Sequence, residues 1–328
     1  MNKVFLHIGP HKTGSTFLQR MFVRNREQLS ESNIYYPQSG QEFLFGHFNL
    51  VHFIKGDESI KGGFKIEDFV KETKTVKNIL LSSEDFIRLN VDQLHDLKSI
   101  FENREWEIVY YVRNWNDLLP SVWAETIKRG SFLNFKEYIK EEAYKKDDYF
   151  NIDHNHNLKK FSAVFGIESI KIFDYDNIIR EGSLFKNFLT EVLELDGIDF
   201  YEENKQFNVR LPIHMLSYIM LLNKAYFVKN QENAGTELRI RFLDRVKKNP
   251  NFMDTIILSK ISKNTYKFSL GTMKYIDRIN FNSVKYFSKF NLKPSYIDNN
   301  RLYDYVEIGN IFNNSKETLI KQCKLIFD

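Results

Sequence analysis

The chain has 328 residues, 42% hydrophobic and 15% aromatic, enough apolar material for a substantial core and too much for a disordered chain. Its 47 basic and 43 acidic residues leave a net charge of +4, which makes no demand for a nucleic-acid partner. One cysteine, Cys323, excludes an intramolecular disulfide framework and any multi-cysteine metal site, and it points to a reducing, cytoplasmic compartment. No stretch approaches the roughly 20 apolar residues of a membrane span, and the N-terminal apolar run is too short for a signal-peptide core.

The first expected element is a strand over Lys3 to Ile8 (KVFLHI), stopped by the turn signal Gly9-Pro10. A helix follows, with Phe17, Leu18, Met21 and Phe22 at helical spacing. The loop between them, Gly9-Pro10-His11-Lys12-Thr13-Gly14-Ser15-Thr16, nearly matches the phosphate loop G-x-x-x-x-G-K-[ST]. Ser15, however, stands where that motif has its lysine, and Lys12 lies two residues before Gly14. Strand, glycine loop and helix together aim backbone N–H groups and a positive helix end at one point, which suits an anion. A plain helix N-cap is the bland alternative.

Further strands are expected at Asn78 to Ser82, Glu107 to Val112 and Ser169 to Phe173, followed by helices over Val91 to Phe101, Asn116 to Lys128 and Ser183 to Leu195. Apolar strands alternating with helices predict an α/β fold with a mostly parallel central sheet flanked by helices, P-loop-like at its first turn. Ligands of such sheets bind beyond the carboxyl ends of the strands, which directs attention to 11–16, 83–85, 113–115 and 174–176. From about Leu211 the pattern becomes helical, at Leu211 to Val228, Leu238 to Val246 and Thr272 to Phe290. Residues 1–210 therefore read as an α/β nucleotide-binding core. Residues 211–328 read as a mainly helical, acceptor-binding elaboration of the same single domain. Between 251 and 300, eight Lys or Arg residues face three Asp, a solvated helix face by the plain reading. The sharper reading is a peripheral contact of residues 260–293 with an anionic substrate or an acidic membrane surface.

After the third strand, Arg113 is followed eight residues later by Ser121 on the next helix, so that both can reach one anion. Trp115 beside it is a candidate adenine stack or a core residue.

HIGPHKTGSTFLQ resembles the 5′-phosphosulfate loop of sulfotransferases that use 3′-phosphoadenosine 5′-phosphosulfate (PAPS), above all their bacterial and carbohydrate-acting branch. The family's P-K-x-G-[ST]-[ST] is here interrupted by His11, leaving Lys-x-Gly-Ser-Thr intact. Arg113 and Ser121 resemble the family's 3′-phosphate pair. Asn208 and Arg210, in Asn204-Lys205-Gln206-Phe207-Asn208-Val209-Arg210, resemble its nucleotide-closing loop more loosely, as does the segment from Phe312 to Ser315 with Leu319. The resemblance implies a PAPS-dependent enzyme that needs no metal and releases PAP. Its donor would be held by Lys12, Thr13, Gly14, Ser15, Thr16, Arg113, Ser121, Asn208 and Arg210. Its acceptor would be a hydroxyl of an anionic glycan or lipid-linked saccharide.

Sulfuryl transfer needs a base for the acceptor proton. Glu84, in Ser83-Glu84-Asp85, matches the family's carboxylate base, and His47, in Phe45-Gly46-His47-Phe48, is a second candidate; His11 and His52 are weaker ones. Two alternatives stand beside this reading. One is a kinase or NTPase with ILLSSED as its metal-binding strand, although two serines separate the apolar run from Glu84-Asp85. The other is a nucleotide-binding module without catalysis.

Overall fold

The computed structural model describes residues 2–42, 45–57, 62–113, 115–141, 153–203, 211, 213–249, 265–266, 303–304 and 316–321. Asn208, Arg210 and, apart from 265–266, the basic segment 260–293 lie outside these residues, as do Cys323 and the side chain of Trp115. In chain order the elements open with β1 (Lys3–His7), α1 (Ser15–Arg24), α2 (Arg26–Glu31), β2 (Ile34–Tyr35), α3 (Phe48–Lys55), α4 (Ile66–Thr73), β3 (Asn78–Ser82) and α5 (Val91–Ile100). There follow β4 (Glu105–Val112), α6 (Trp115–Lys128), α7 (Phe135–Glu141), α8 (His154–Phe165), β5 (Ile170–Asp174), α9 (Tyr175–Glu181), α10 (Leu184–Asn187), α11 (Ile213–Asn230) and α12 (Glu237–Lys248). Thr265–Tyr266 pairs antiparallel with Tyr303–Asp304.

The elements fall into two compact units. One holds β1–β5 with α1–α5 and α8–α10; the other holds α6, α7, α11 and α12. In the first, five strands form a wholly parallel sheet in the order β2-β3-β1-β4-β5. The expected α/β architecture is therefore present, a parallel sheet flanked by helices. Because β1 is central, its side chains alternate between two buried faces. Val4, Leu6 and Ile8 join the core with Leu94, Leu97, Leu158 and Phe161, whereas Phe5 packs with Leu18, Met21, Phe22 and Phe188. From β1 the sheet grows to one side through β3 and to the other through β4. The carboxyl end of β1 is thus the point where strand order reverses, the place where open α/β sheets bind ligands.

In the second unit Asn223 on α11 donates from Nδ2 to the carbonyls of Ile127 and Ser131, 2.8 Å each, and so fixes α11 to the end of α6. The indole of Trp123 donates to the Leu133 carbonyl at 2.9 Å. No helix among the described residues is long and apolar enough to cross a membrane.

Three histidines of the first unit are fully buried: His7 beside Ser82 Oγ, His47 at the end of β3 and His154 beside the Tyr110 hydroxyl. Burial disfavours their charged forms, pushing His7 down to about 3 and His47 and His154 to about 4, from 6.5. As pH falls below 6.5 the unfolded chain takes up protons at these sites while the native chain does not, so stability must fall. Each group contributes a slope of up to about 1.4 kcal/mol per pH unit. The urea midpoint should therefore drop steadily from pH 7 to pH 5; a flat midpoint would show that these rings become charged inside the fold.

Candidate functional site

The loop after β1 is laced to both neighbouring strands. The Ile8 amide donates to the Val109 carbonyl (3.1 Å), the Ser83 amide to His7 (3.1 Å) and the Tyr111 amide to Gly9 (3.0 Å). Gly9 has φ +83°, and a Cβ there would lie 2.9 Å from the Glu84 Cβ, so only glycine lets the loop approach the turn after β3 this closely. Inside the loop the Thr13 hydroxyl donates to the Pro10 carbonyl at 2.6 Å, which commits that hydroxyl to loop structure.

Gly14, with φ +78°, is the N-cap of α1, and no side chain caps the helix. The first-turn amides of α1 thus lack the Ser, Thr, Asp or Asn acceptor that ordinarily satisfies them, as an anion-binding helix end requires. A Cβ on Gly14 would meet Leu184 Cδ2 at 2.5 Å. Ser15 is buried and Thr16 exposed at the start of the helix. Lys12 has φ +69°, a conformation that lysine adopts only when its surroundings impose it.

One such restraint is Arg113, which follows β4. Its Nη1 donates to the Lys12 carbonyl at 2.6 Å, tying the end of β4 to the loop of β1. The guanidinium lies 5.2 Å from the Tyr175 ring centre, and Nε is 3.9 Å from Asp176 Oδ1, so residues after β5 hold its other side. Tyr175 also borders the loop, its ring 3.5 Å from where a Gly14 Cβ would stand. Behind Arg113, His154 hydrogen-bonds its backbone and lies 2.6 Å from the Tyr110 hydroxyl.

β3 ends in Ser83, whose Oγ accepts from the Asp85 amide and starts the 3-10 turn Glu84–Arg88. Glu84 is 9% exposed; its Oε2 accepts from Gln19 Nε2 of α1 at 2.9 Å, and its Oε1 lies 3.6 Å from His11 Nδ1. Asp85 Oδ1 is 3.3 Å from His11 Nε2, and Oδ2 is 3.5 Å from Arg88 Nη1. Burial pushes the Asp85 carboxyl up, but the hydrogen bond and charge of His11, with Arg88 and His52, outweigh it and hold the group below its usual range.

His47 is placed differently from Glu84. Its amide donates to the Ser82 carbonyl at 2.8 Å and its Nδ1 accepts from the Ser82 amide at 3.1 Å, leaving Nε2 to donate to the Pro37 carbonyl at 3.2 Å. It continues the edge pairing of β3 beyond the two residues that β2 supplies. Both ring nitrogens are thereby used.

The structure brings together Lys12 to Thr16, Glu84 and Arg113 at the carboxyl edge of the sheet. Ser121 lies on α6, in the second unit. Asp85, Tyr175 and Asp176 fall in the strand-end segments that the sequence pointed to, though without a role assigned; Gln19, four residues after Ser15 on α1, was not singled out. Elsewhere in the first unit a cleft of about 400 Å³ is lined by amide and carboxylate side chains, among them Gln38, Gln41, Glu42, Asn49 and Asp68.

No protein-family model matches the chain, and no curated protein does. Among solved structures the chain is similar to a sulfotransferase from Alicyclobacillus acidocaldarius, with 14% identity, coverage of 69% of this chain and 95% of that one, and a TM-score of 0.41.

Proposed function

We propose that the chain is a sulfotransferase that moves the sulfuryl group of PAPS to an acceptor hydroxyl. The observation that carries this reading is the meeting of an uncapped helix end, an Arg-tethered loop lysine and a buried carboxylate at one sheet edge. The donor fits the residues: the amides of Thr13 to Thr16 and the glycine cradle at Gly14 accept a phosphosulfate, and Arg113 offers a planar fork to a 3′-phosphate.

In the reaction the acceptor oxygen attacks sulfur in line, Glu84 takes the hydroxyl proton, and the bond from sulfur to the PAP phosphate breaks. Lys12 and the loop amides stabilise the charge that develops on that phosphate, so no bridging metal is required. We assign the base to Glu84 because the ring of His47 is occupied in holding the edge of β3. The acceptor would be a glycan or lipid-linked saccharide, as the resemblance of the loop to the carbohydrate-acting branch implies.

Thermal shift with a chelator present tests the nucleotide. PAP should raise the melting temperature without Mg²⁺, and by more than ATP with Mg²⁺ does. The reverse order would favour a kinase or NTPase.

A further inference from the structure

His11, the residue that interrupts the loop motif, is not a spacer. Its ring is buried between the phosphate loop and the turn after β3, with Nδ1 3.6 Å from Glu84 Oε1 and Nε2 3.3 Å from Asp85 Oδ1. Both carboxylates are acceptors, and the ring stands between them within ion-pair distance of each. Asp85 is the fixed end of this bridge, anchored by Arg88 and by the Ser83 cap.

We propose that His11 is a positioning residue, which stands between Asp85 and Glu84 and holds the base at a set distance from the donor loop. The proposal rests on the sulfotransferase reading for its catalytic consequence, though not for the bridge itself. His11 and Lys12 are adjacent, so one residue grips the base while the next lies at the leaving phosphate. With Gln19 on Oε2 and His11 on Oε1, Glu84 is held from two sides. When the acceptor O–H breaks, its proton goes to Glu84. His11 therefore acts through Glu84 and never on the substrate. Conserving this geometry matters because a base displaced by about 1 Å can cost on the order of 100-fold in rate.

The test is a double-mutant cycle in transfer kinetics, with an unfolding cycle beside it. His11→Gln should lower kcat by about tenfold or more while leaving the KM for PAPS within about twofold. Combined with Glu84→Gln, it should cost nothing further, because the two residues act as one unit. Multiplied losses in the double variant, or a raised KM with unchanged kcat, would overturn the positioning role. In urea unfolding, His11→Gln and Asp85→Asn should be non-additive; additive losses would overturn the bridge whether or not the protein transfers sulfate. Should His11→Gln fail to fold, Asp85→Asn removes the bridge from its other end and should lower kcat alike. A wild-type protein that transfers no sulfate, yet shows the unfolding coupling, would refute the proposed function and the positioning role but leave the bridge standing.

Discussion

Glu84→Gln should bind PAP with affinity within about twofold of the wild-type protein and lose about 10²–10⁴-fold in sulfuryl transfer, the usual worth of a positioned base. The amide is nearly isosteric with the carboxylate and keeps an oxygen for Gln19 Nε2, so the packing between α1 and the turn after β3 should survive. What it loses is a second lone-pair acceptor for a proton. Among the described residues, neither His47 nor Asp85 is set to replace it. His47 has both ring nitrogens in bonds to Ser82 and Pro37, and Asp85 is already engaged with His11 and Arg88. Transfer kinetics and PAP titration on the same preparation check both halves. Undiminished transfer would remove Glu84 from the chemistry; a parallel collapse of PAP binding would make it a structural residue of the loop.

Arg113→Ala should weaken PAP binding by at least about 100-fold, because two charge-assisted hydrogen bonds of roughly 1.5–3 kcal/mol each are lost. The loss has a second source within the protein. The guanidinium also donates to the Lys12 carbonyl, and without it the left-handed Lys12 loses one of its restraints. Arg113→Lys separates the two effects. It keeps the positive charge but not the fork, so its affinity for PAP should fall between those of the wild type and Arg113→Ala. Calorimetric titration checks the order. An Arg113→Ala protein that binds PAP as tightly as the wild type would show that Arg113 serves only to brace the loop.

The strands of the sheet were legible where burial on two faces left continuous apolar runs: Asn78 to Ser82 was bounded to the residue, and Glu107 to Val112 fell inside β4. Ile34–Tyr35 was not legible, because two residues carry no periodicity and exist as a strand only through pairing with Asn78 and Ile79. The helix expected over 183–195 divides into α10 and a wider turn at Phe188–Val192, a change of backbone hydrogen bonding that an apolar period does not encode.

The candidate site was legible in part for the same physical reasons. Glycine, lysine and arginine at strand ends announce themselves by position, since the topology brings strand ends to one edge. The partners that give them geometry do not. Gln19 reads as one more polar position on a helix, and Asp85 as the neighbour of a better-placed carboxylate. His47 looks like a base in sequence, and only the sheet register shows that its ring stands in for a missing strand residue. His11 looks like an interruption until Glu84 and Asp85 are brought to either side of it.

The decisive measurement is transfer of labelled sulfur from PAPS to cell-envelope glycans by the purified chain, with a metal chelator present throughout. Label should appear on a glycan, PAP should accumulate in equal amount, and adding Mg²⁺ should not change the rate. Label that stays on the nucleotide while ATP and Mg²⁺ support phosphoryl transfer to the same glycans would contradict the assignment of this loop to a phosphosulfate.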